Sequence, residues 1–390
     1  MLHDAIVVGA GPAGSTAARL LAKAGWKVAL IEKAEFPRRK VCGEFISAST
    51  LPLLDGAIGE EFQQRAGPEV RRVGLYAGAA MLSSPMPRSA NGAAWGRALR
   101  RERLDVILRD AAVAVGAKLI QPAKLIHLLR NADGYIGTLK AGNGTAEIAA
   151  RIVIAASGSW EKSVFPVADE AHRASDLFAF KAHFMESDLA ADLMPLLVFP
   201  GGYGGMVATD GGRTTLSCCI RRDWLERARE RYPGSAADAV LAHICASAEG
   251  VKRALARSTR DGAFLSSGPI RPGIRQRYSD RVFFTGNLAG EAHPIIAEGI
   301  SMAIQGANLL AHELTRGGAD FSDEALEDTG RRYAAAWKGQ FATRIRAAAL
   351  FAEFAARPRV SAIGVPVVRS FPNILTWGAW LSGKVNGIGA

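Results

Sequence analysis

The chain has 390 residues, of which 49% are hydrophobic, and a formal net charge of +11 at pH 7. This length and apolar content allow a large core, and the strand-like N-terminus predicts no signal peptide. The four cysteines, at positions 42, 218, 219 and 245, have neither metal-ligand spacing nor a disulfide pattern, so we expect no metal site and a cytoplasmic location.

The positive charge comes mostly from arginines, which cluster at 36–40, 97–103 and 221–232. Nothing in these stretches resembles a nucleic-acid module, and aromatic residues are not interleaved with them, so we expect no nucleic-acid partner. An anionic membrane surface, an acidic carrier protein, an anionic cofactor and a merely solvated surface all stay open as interpretations.

The most informative stretch is the strand–turn–helix–strand unit at 4–32. An apolar strand is followed at once by Gly9-Ala10-Gly11-Pro12-Ala13-Gly14, then by a helical run and a second apolar strand that ends at Glu32. Gly9 allows a tight turn, Gly11 lets the backbone approach a pyrophosphate, and Gly14 lets helix and strand pack closely. Glu32 can accept hydrogen bonds from ribose hydroxyls. The unit therefore predicts a dinucleotide-binding site.

Later segments divide the chain into two kinds of structure. Residues 97–117 predict a helix, and 150–159 a buried strand that ends in a small-residue turn. Residues 176–220 predict successive antiparallel strands, and 222–256 predict helices that pack on them. A second strand–loop–helix unit follows at 281–314. The pattern indicates a sheet-based domain inserted into the first domain.

Four separated segments resemble one family group: VVGAGPAGSTAARLL, EKAEFPRRKVCGEFIS, RRERLDVIL and FTGNLAGEAHPIIAEGISMAIQGA. They are similar to the FAD-dependent oxidoreductases related to geranylgeranyl reductases, within the p-hydroxybenzoate-hydroxylase-like fold, a group that also contains flavin monooxygenases and halogenases. The resemblance implies an α/β fold with a Rossmann-like FAD-binding domain, an inserted antiparallel-sheet substrate domain and a C-terminal helical region.

These expectations give three regions. We place a discontinuous FAD-binding domain at 1–75, 96–165 and 276–320. The substrate domain takes 76–95 and 166–275, and the C-terminal helical region takes 321–390.

The resemblance also implies where FAD binds. The turn of Gly9, Gly11 and Gly14, with Pro12 and Ala13, would cradle the pyrophosphate. Glu32, with Lys33 beside it, would hold the adenosine ribose, and Arg101 would contact the phosphates or the ribityl chain. A second set would face the flavin, and it comprises Gly286, Asn287, Gly299 and Ile300.

Two positions depart from the family pattern. Asn287 stands where the family has an aspartate that accepts hydrogen bonds from the ribityl chain, so the acceptor lacks its charge. Ala297 stands where glycine is usual. We expect weaker FAD binding or an altered geometry at these positions.

Catalytic and substrate candidates come from three short segments. The loop Lys40-Val41-Cys42-Gly43-Glu44 resembles the family's Cys-Gly loop beside the flavin, which makes Cys42 and Glu44 catalytic candidates. His293 is a third, because a histidine titrates near neutrality. The segment Phe199-Pro200-Gly201-Gly202-Tyr203 resembles the aromatic segment that faces the flavin, so Phe199, Pro200 and Tyr203 are predicted substrate residues.

The leading functional hypothesis is reduction of carbon–carbon double bonds in an apolar, isoprenoid-like substrate by an FAD enzyme. The alternatives are a flavin monooxygenase that hydroxylates a phenolic, polyketide or carrier-bound substrate, and a non-catalytic flavin-binding protein. A halogenase is disfavoured because the Trp-x-Trp-x-Ile-Pro motif is missing. With a single glycine fingerprint, NADPH or NADH would bind only transiently as electron donor.

The tail at 358–390 is apolar but is interrupted by prolines and by Arg369, which makes it a poor membrane span. We expect a helix that docks on the core, or else one that lies at a membrane interface. The expected partners are a hydrophobic small molecule and, at the periphery, a membrane or a carrier protein.

Overall fold

The computed structural model describes residues 2–54, 56–88, 94–159, 164–165, 171 and 173–384. Parts of the predicted domains therefore lie outside the described residues, among them 89–93, 160–163, 166–170 and the last six positions of the predicted helical region, 385–390. Within the described ranges the chain forms two large sheets with helices around them.

The strands are numbered in chain order. They are β1 (Leu2–Val8), β2 (Val28–Ile31), β3 (Phe45–Ile46), β4 (Arg72–Ala77), β5 (Ala80–Pro85), β6 (Arg97–Ala98), β7 (Lys118–Ile120), β8 (Lys124–Asn131), β9 (Gly134–Ala141), β10 (Gly144–Ala155), β11 (Leu177–Met185), β12 (Leu193–Phe199), β13 (Gly202–Ala208), β14 (Arg213–Arg221), β15 (Thr259–Ile270), β16 (Gly273–Ile274), β17 (Tyr278–Ser279), β18 (Val282–Phe284) and β19 (Gly290–Glu291).

The α-helices follow the same rule. They are α1 (Pro12–Lys23), α2 (Gly56–Arg65), α3 (Arg101–Ala114), α4 (Arg222–Arg231), α5 (Ala236–Ser247), α6 (Glu249–Ala254), α7 (Gly299–Thr315), α8 (Asp323–Ala356), α9 (Pro358–Ser370) and α10 (Asn373–Leu381).

The first sheet has the order β17-β18-β10-β1-β2-β7, and the β8–β9 hairpin extends it from β10. Strand β1 pairs in parallel with β2 on one side and with β10 on the other. Its apolar strands share one core with α1, α7 and α8. The carboxyl ends of β1, β2, β10 and β18 therefore meet at one edge, where ligands of open parallel sheets bind.

The second sheet has the order β15-β11-β14-β13-β12-β4-β5. Its pairs are antiparallel except β4 and β12, which run in parallel, so the predicted antiparallel sheet is in fact mixed. Strand β4 of this sheet begins at Arg72. The predicted boundary between the FAD-binding domain and the substrate domain, at residues 75 and 76, would therefore cut through β4, and the second sheet begins before that boundary. Helices α4–α6 supply a core on one face of this sheet.

The C-terminal region is helical over its described part. The 34-residue helix α8 packs on α7, and α10 packs on β4 and β5. Ala379 of α10 is buried together with Phe45 and Val70, so one face of the tail docks on the core, as we expected. Among the described residues, no helix combines the length and the apolar character that crossing a membrane requires.

Candidate functional site

Two glycines close the turn between β1 and α1, and neither has room for a side chain. Gly9 has φ +105°, and a Cβ there would lie 2.6 Å from the carbonyl oxygen of Ala156. A Cβ on Gly14 would overlap the carbonyl oxygen of Gly9. Gly9 therefore permits the tight turn, and Gly14 permits the close packing of helix on strand.

Gly11 differs, because its missing side chain opens toward positive charge. A Cβ there would lie 3.6 Å from Arg101 Nη2 and 3.8 Å from Arg38 Nη2, which are ordinary contact distances. Gly11 is also the N-cap of α1, whose first N–H groups lack partners within the helix. The turn, the helix end and the two guanidinium groups together form a cradle for an anion such as pyrophosphate.

Acidic neighbours hold both arginines in place. Asp105 accepts hydrogen bonds from Arg101 at 2.6 and 2.8 Å. Although burial opposes its charge, Asp105 raises the pKa of Arg101, which stays a cation. Within the described part of the chain, the buried Nε of Arg38 and Oγ of Ser157 have no hydrogen-bond partner, and both residues line the cavity beside the cradle. These polar atoms indicate a polar ligand.

Glu32 lies at the carboxyl end of β2 and is almost fully buried. It accepts hydrogen bonds from the backbone N–H groups of Ala10 and Ala34, each at 2.9 Å, and from Arg38 at 2.8 Å. Glu32 and Lys33 both line the cavity. The predicted acid therefore stands beside the glycine turn, where a ribose would follow a pyrophosphate.

Asn287 has a carboxylate neighbour that sequence reasoning missed. Its Nδ2 donates to Glu291 Oε1 at 3.0 Å, and Ser159 donates to the other oxygen of Glu291 at 2.9 Å. Glu291 lines the same cavity, as does Gly286. A carboxylate, itself paired with Arg275 at 3.3 Å, thus lies beside the position where the family pattern lacks its aspartate. Its only signal in the sequence was its place four residues after Asn287.

The cavity-facing helix α7 begins at Gly299, two positions after a strained residue. Ala297 adopts φ +52°, the left-handed region that glycine enters at little cost, which explains the family's glycine at this position. Gly299 and Ile300 open α7 and line the cavity. The positive end of the α7 dipole therefore faces the cavity, where it favours negative charge.

The Cys-Gly loop forms another part of the wall. Cys42 Sγ accepts a hydrogen bond from the Glu44 N–H at 3.4 Å, and both residues line the cavity. Burial, reinforced by the charges of Arg38 and Arg101, lowers the pKa of Lys40 to about 8. Lys40 therefore loses its proton more readily than an ordinary lysine, although most of it is still charged at pH 7.

Glu44 is buried and saturated with donors. Its carboxylate bonds to Lys181, to His183 Nε2 at 2.8 Å, to Thr215 Oγ1 at 2.7 Å and to the backbone N–H of Arg101 at 2.9 Å. Burial alone would raise its pKa, but the bonds and charges of His183 and Lys181 outweigh this effect and lower the pKa to about 2. Glu44, one of the catalytic candidates, is therefore ionised at neutral pH and has no proton to donate.

The arrangement gives Glu44 a positioning role instead. Lys181 and His183 belong to β11 and Thr215 to β14, whereas Arg101 opens α3 beside the glycine turn. The carboxylate thus joins the second sheet to the anion cradle. Glu44, Glu102 and His183 each place one possible metal-ligand atom within 4.8 Å of the others. The Glu44 carboxylate, however, already has a cation beside it, the ammonium group of Lys181.

Strand register corrects part of the predicted substrate segment. Val198 pairs with Tyr203, and Phe199 pairs with Gly202, so each pair shares one face of the sheet. Val198 and Tyr203 line the cavity. Phe199 points the other way, against the ring of His243, and the Pro200 carbonyl bonds to His243 Nε2 at 2.9 Å. Of the three predicted residues, only Tyr203 faces the cavity.

Tyr203 and His293 form a polar pair in an apolar setting. A hydrogen bond of 3.1 Å joins Tyr203 Oη to His293 Nδ1. Burial lowers the pKa of His293 to about 4 and raises the pKa of Tyr203 well above its usual range. At neutral pH both groups are therefore uncharged. His293 titrates below neutrality, in contrast to the expectation from its ordinary value.

One cavity of about 670 Å³ is lined by the glycine turn, the Cys-Gly loop, Tyr203 and His293. At one end are the glycine turn, Glu32 and Arg101. Away from them, aliphatic side chains of the second sheet and of α9 and α10 form a continuous wall, which comprises Leu75, Leu196, Val198, Val365, Val368 and Leu375. The cavity thus combines an anion-binding end with an aliphatic chamber.

Comparison with known proteins identifies the family. The model of the FAD-binding domain family matches residues 3–337. This chain belongs to that family. It is an FAD-dependent oxidoreductase related to the geranylgeranyl reductases.

The chain is similar over most of its length to curated reductases. It is 27% identical over 352 residues to digeranylgeranylglycerophospholipid reductase 2 of Methanopyrus kandleri. The aligned region covers 87% of this chain and 83% of the relative. It is 26% identical over 341 residues to menaquinone reductase of Mycolicibacterium smegmatis, which covers 82% and 78%.

Solved structures share the fold. The flavin-dependent brominase Bmp2 has a TM-score of 0.76 at 18% identity and covers 98% of this chain and 94% of its own. Pseudomonas aeruginosa PqsL, in complex with 2-aminobenzoylacetate, has a TM-score of 0.72 at 18% identity and covers 94% and 99%. At these identities the likeness establishes the fold.

The residues fit FAD. A Cβ at Gly11 would occupy space beside the guanidinium groups of Arg101 and Arg38, and the buried Ser157 Oγ, which lines the same cavity, has no hydrogen-bond partner among the described residues. Gly11, Arg38 and Arg101 would hold the pyrophosphate, and Glu32 would hold the ribose. Asn287, with Glu291 behind it, would face the ribityl chain.

Proposed function

We propose that this FAD-dependent oxidoreductase reduces carbon–carbon double bonds in an apolar, isoprenoid-like chain. The aliphatic chamber that continues from the cofactor end of the cavity supports this proposal most strongly. The six side chains named for its wall are all hydrocarbon, so they offer burial to an apolar chain and no charged group to a polar substrate. Bound FAD, once reduced, supplies a hydride to one carbon of the double bond.

The second hydrogen must reach the other carbon as a proton, so that C=C plus H⁻ plus H⁺ gives CH–CH. Tyr203 keeps its proton at neutral pH and presents it inside the cavity, with His293 as its hydrogen-bond partner. Cys42 is the other candidate donor, from the loop beside Arg101. Glu44 instead fixes that loop against the second sheet.

The electron donor is proposed to be NADH or NADPH, bound transiently, because the chain has a single glycine fingerprint. Stopped-flow mixing of the oxidised holoenzyme with each nucleotide should bleach the flavin absorbance. Failure of both nucleotides to do so, when a chemical reductant succeeds, would contradict this choice.

Anaerobic mixing of reduced holoenzyme with polyprenyl substrates tests the reaction itself. We expect the substrate to reoxidise the flavin, and Tyr203→Phe to slow that step while leaving reduction by the donor unchanged. Cys42→Ser is the matched variant at the other candidate donor, and a variant that reoxidises more slowly than wild type identifies the proton donor. No reoxidation across a range of isoprenoids would exclude the proposed reductase.

A further inference from the structure

The C-terminal helix α10 is apolar on two faces. Leu375 and Ala379 point inward and line the cavity. Trp377, Trp380 and Leu381 point outward and are 70%, 50% and 50% exposed. A surface helix of a globular protein normally has a single apolar stripe. The outward residues, with Phe371 and Ile374, are called the aromatic face.

The composition around the aromatic face selects its partner. Residues 358–383 contain no aspartate or glutamate, but they contain Arg359 and Arg369. The chain as a whole has a net charge of +11. Exposed tryptophans next to basic residues without acidic neighbours match a bilayer surface with anionic lipids, where indole rings and cations both gain free energy.

The cavity reaches toward the same surface. Ile374 belongs to the aromatic face and also lines the cavity. Phe351 and Phe354 of α8 line it too, and they are 38% and 47% exposed. These side chains form an apolar rim between the chamber and the outside, next to the helix that carries the tryptophans.

We infer that the aromatic face docks on an anionic lipid surface and lies in its headgroup layer without crossing it. A lipid-borne substrate could then enter the chamber past the apolar rim, a consequence that rests on the proposed function. The docking itself rests only on the aromatic face and its charge.

Flotation with phospholipid vesicles tests the inference on the FAD-loaded protein. We expect binding to vesicles in which about a quarter of the lipid is phosphatidylglycerol, weaker binding to pure phosphatidylcholine, and a blue shift of tryptophan fluorescence. Trp377→Ser/Trp380→Ser should reduce binding about tenfold or more, because each buried aromatic side chain contributes strongly. Ile126→Ser/Leu129→Ser removes two exposed apolar side chains from β8 and is the matched control, which should bind normally.

Two results would overturn the inference. One is equal vesicle binding by the tryptophan variant and wild type. The other is a wild-type dimer in light scattering that buries the tryptophans and ignores vesicles. Because binding is measured without turnover, failure here leaves the proposed reduction untouched, and loss of reduction with intact vesicle binding would refute only the proposed function.

Discussion

Glu44→Gln is the substitution with the most specific expected outcome. The change keeps the shape of the side chain but removes the negative charge that balances the buried Lys181. A folded-state pKa of about 2 against an ordinary value of 4.5 corresponds to about 3 kcal/mol of stabilisation at neutral pH. Loss of one partner of a buried ion pair costs a similar amount, about 3–5 kcal/mol.

The assay is thermal unfolding of the FAD-loaded protein, followed by circular dichroism. Glu44→Gln should lower the midpoint clearly at pH 7, and adding Lys181→Met should recover part of the loss, since the stranded ammonium is removed. Glu102→Gln is the matched control, because Glu102 is partly exposed and its ion pairs with Arg39 and Arg100 are long, at 3.8 and 4.0 Å. It should change the midpoint little.

The pH dependence gives a second test. A depressed carboxylate pKa stabilises the fold above pH 4.5, and the stabilisation disappears as the pH falls from 4.5 toward 2. The gap between wild type and Glu44→Gln should therefore narrow over that window. A variant as stable as wild type at pH 7, or a gap that does not narrow on acidification, would refute the role assigned to Glu44.

Three further predictions concern the cavity wall. Gly11→Ala should fold but bind FAD about tenfold more weakly or worse, as measured by fluorescence titration. Gly14→Ala should fail to fold, as measured by circular dichroism, because its Cβ overlaps Gly9. Normal FAD affinity of Gly11→Ala would contradict the proposed anion cradle. Ala297→Gly should raise the free energy of unfolding by about 0.5–1 kcal/mol. The substitution removes the strain of an alanine in the left-handed conformation, and this gain exceeds the cost of the greater entropy of the unfolded chain. A lower thermal midpoint would contradict this. His293 has a pKa of about 4, so kcat/KM should show no ionisation near pH 6.5, and an inflection there that His293→Gln abolishes would contradict its burial.

Local features of the site could be predicted from the sequence. The turn of Gly9, Gly11 and Gly14 and the acid at Glu32 belong to one short unit, in which spacing dictates geometry. The strand alternation around Phe199 predicts two faces but leaves open which one meets the cavity. The register of β12 with β13 puts Tyr203 on the face of Val198, and the packing of Phe199 against His243 on the other face leaves Tyr203 to line the cavity.

Long-range partners could not be predicted. Glu44 meets Lys181 and Thr215 across 137 and 171 positions of the chain, so no local pattern indicates that its carboxylate is occupied. The place of His293 depends in the same way on Tyr203, which is 90 positions away. Burial then moves the pKa of His293 away from the value that made it a candidate.

The central claim is that the aliphatic chamber holds a double bond for reduction. Mass spectrometry of the product after turnover of the FAD-loaded enzyme with a polyprenyl substrate, with and without oxygen, tests it most directly. The product should gain two hydrogens under both conditions. A product that gains one oxygen, and only in air, would contradict it.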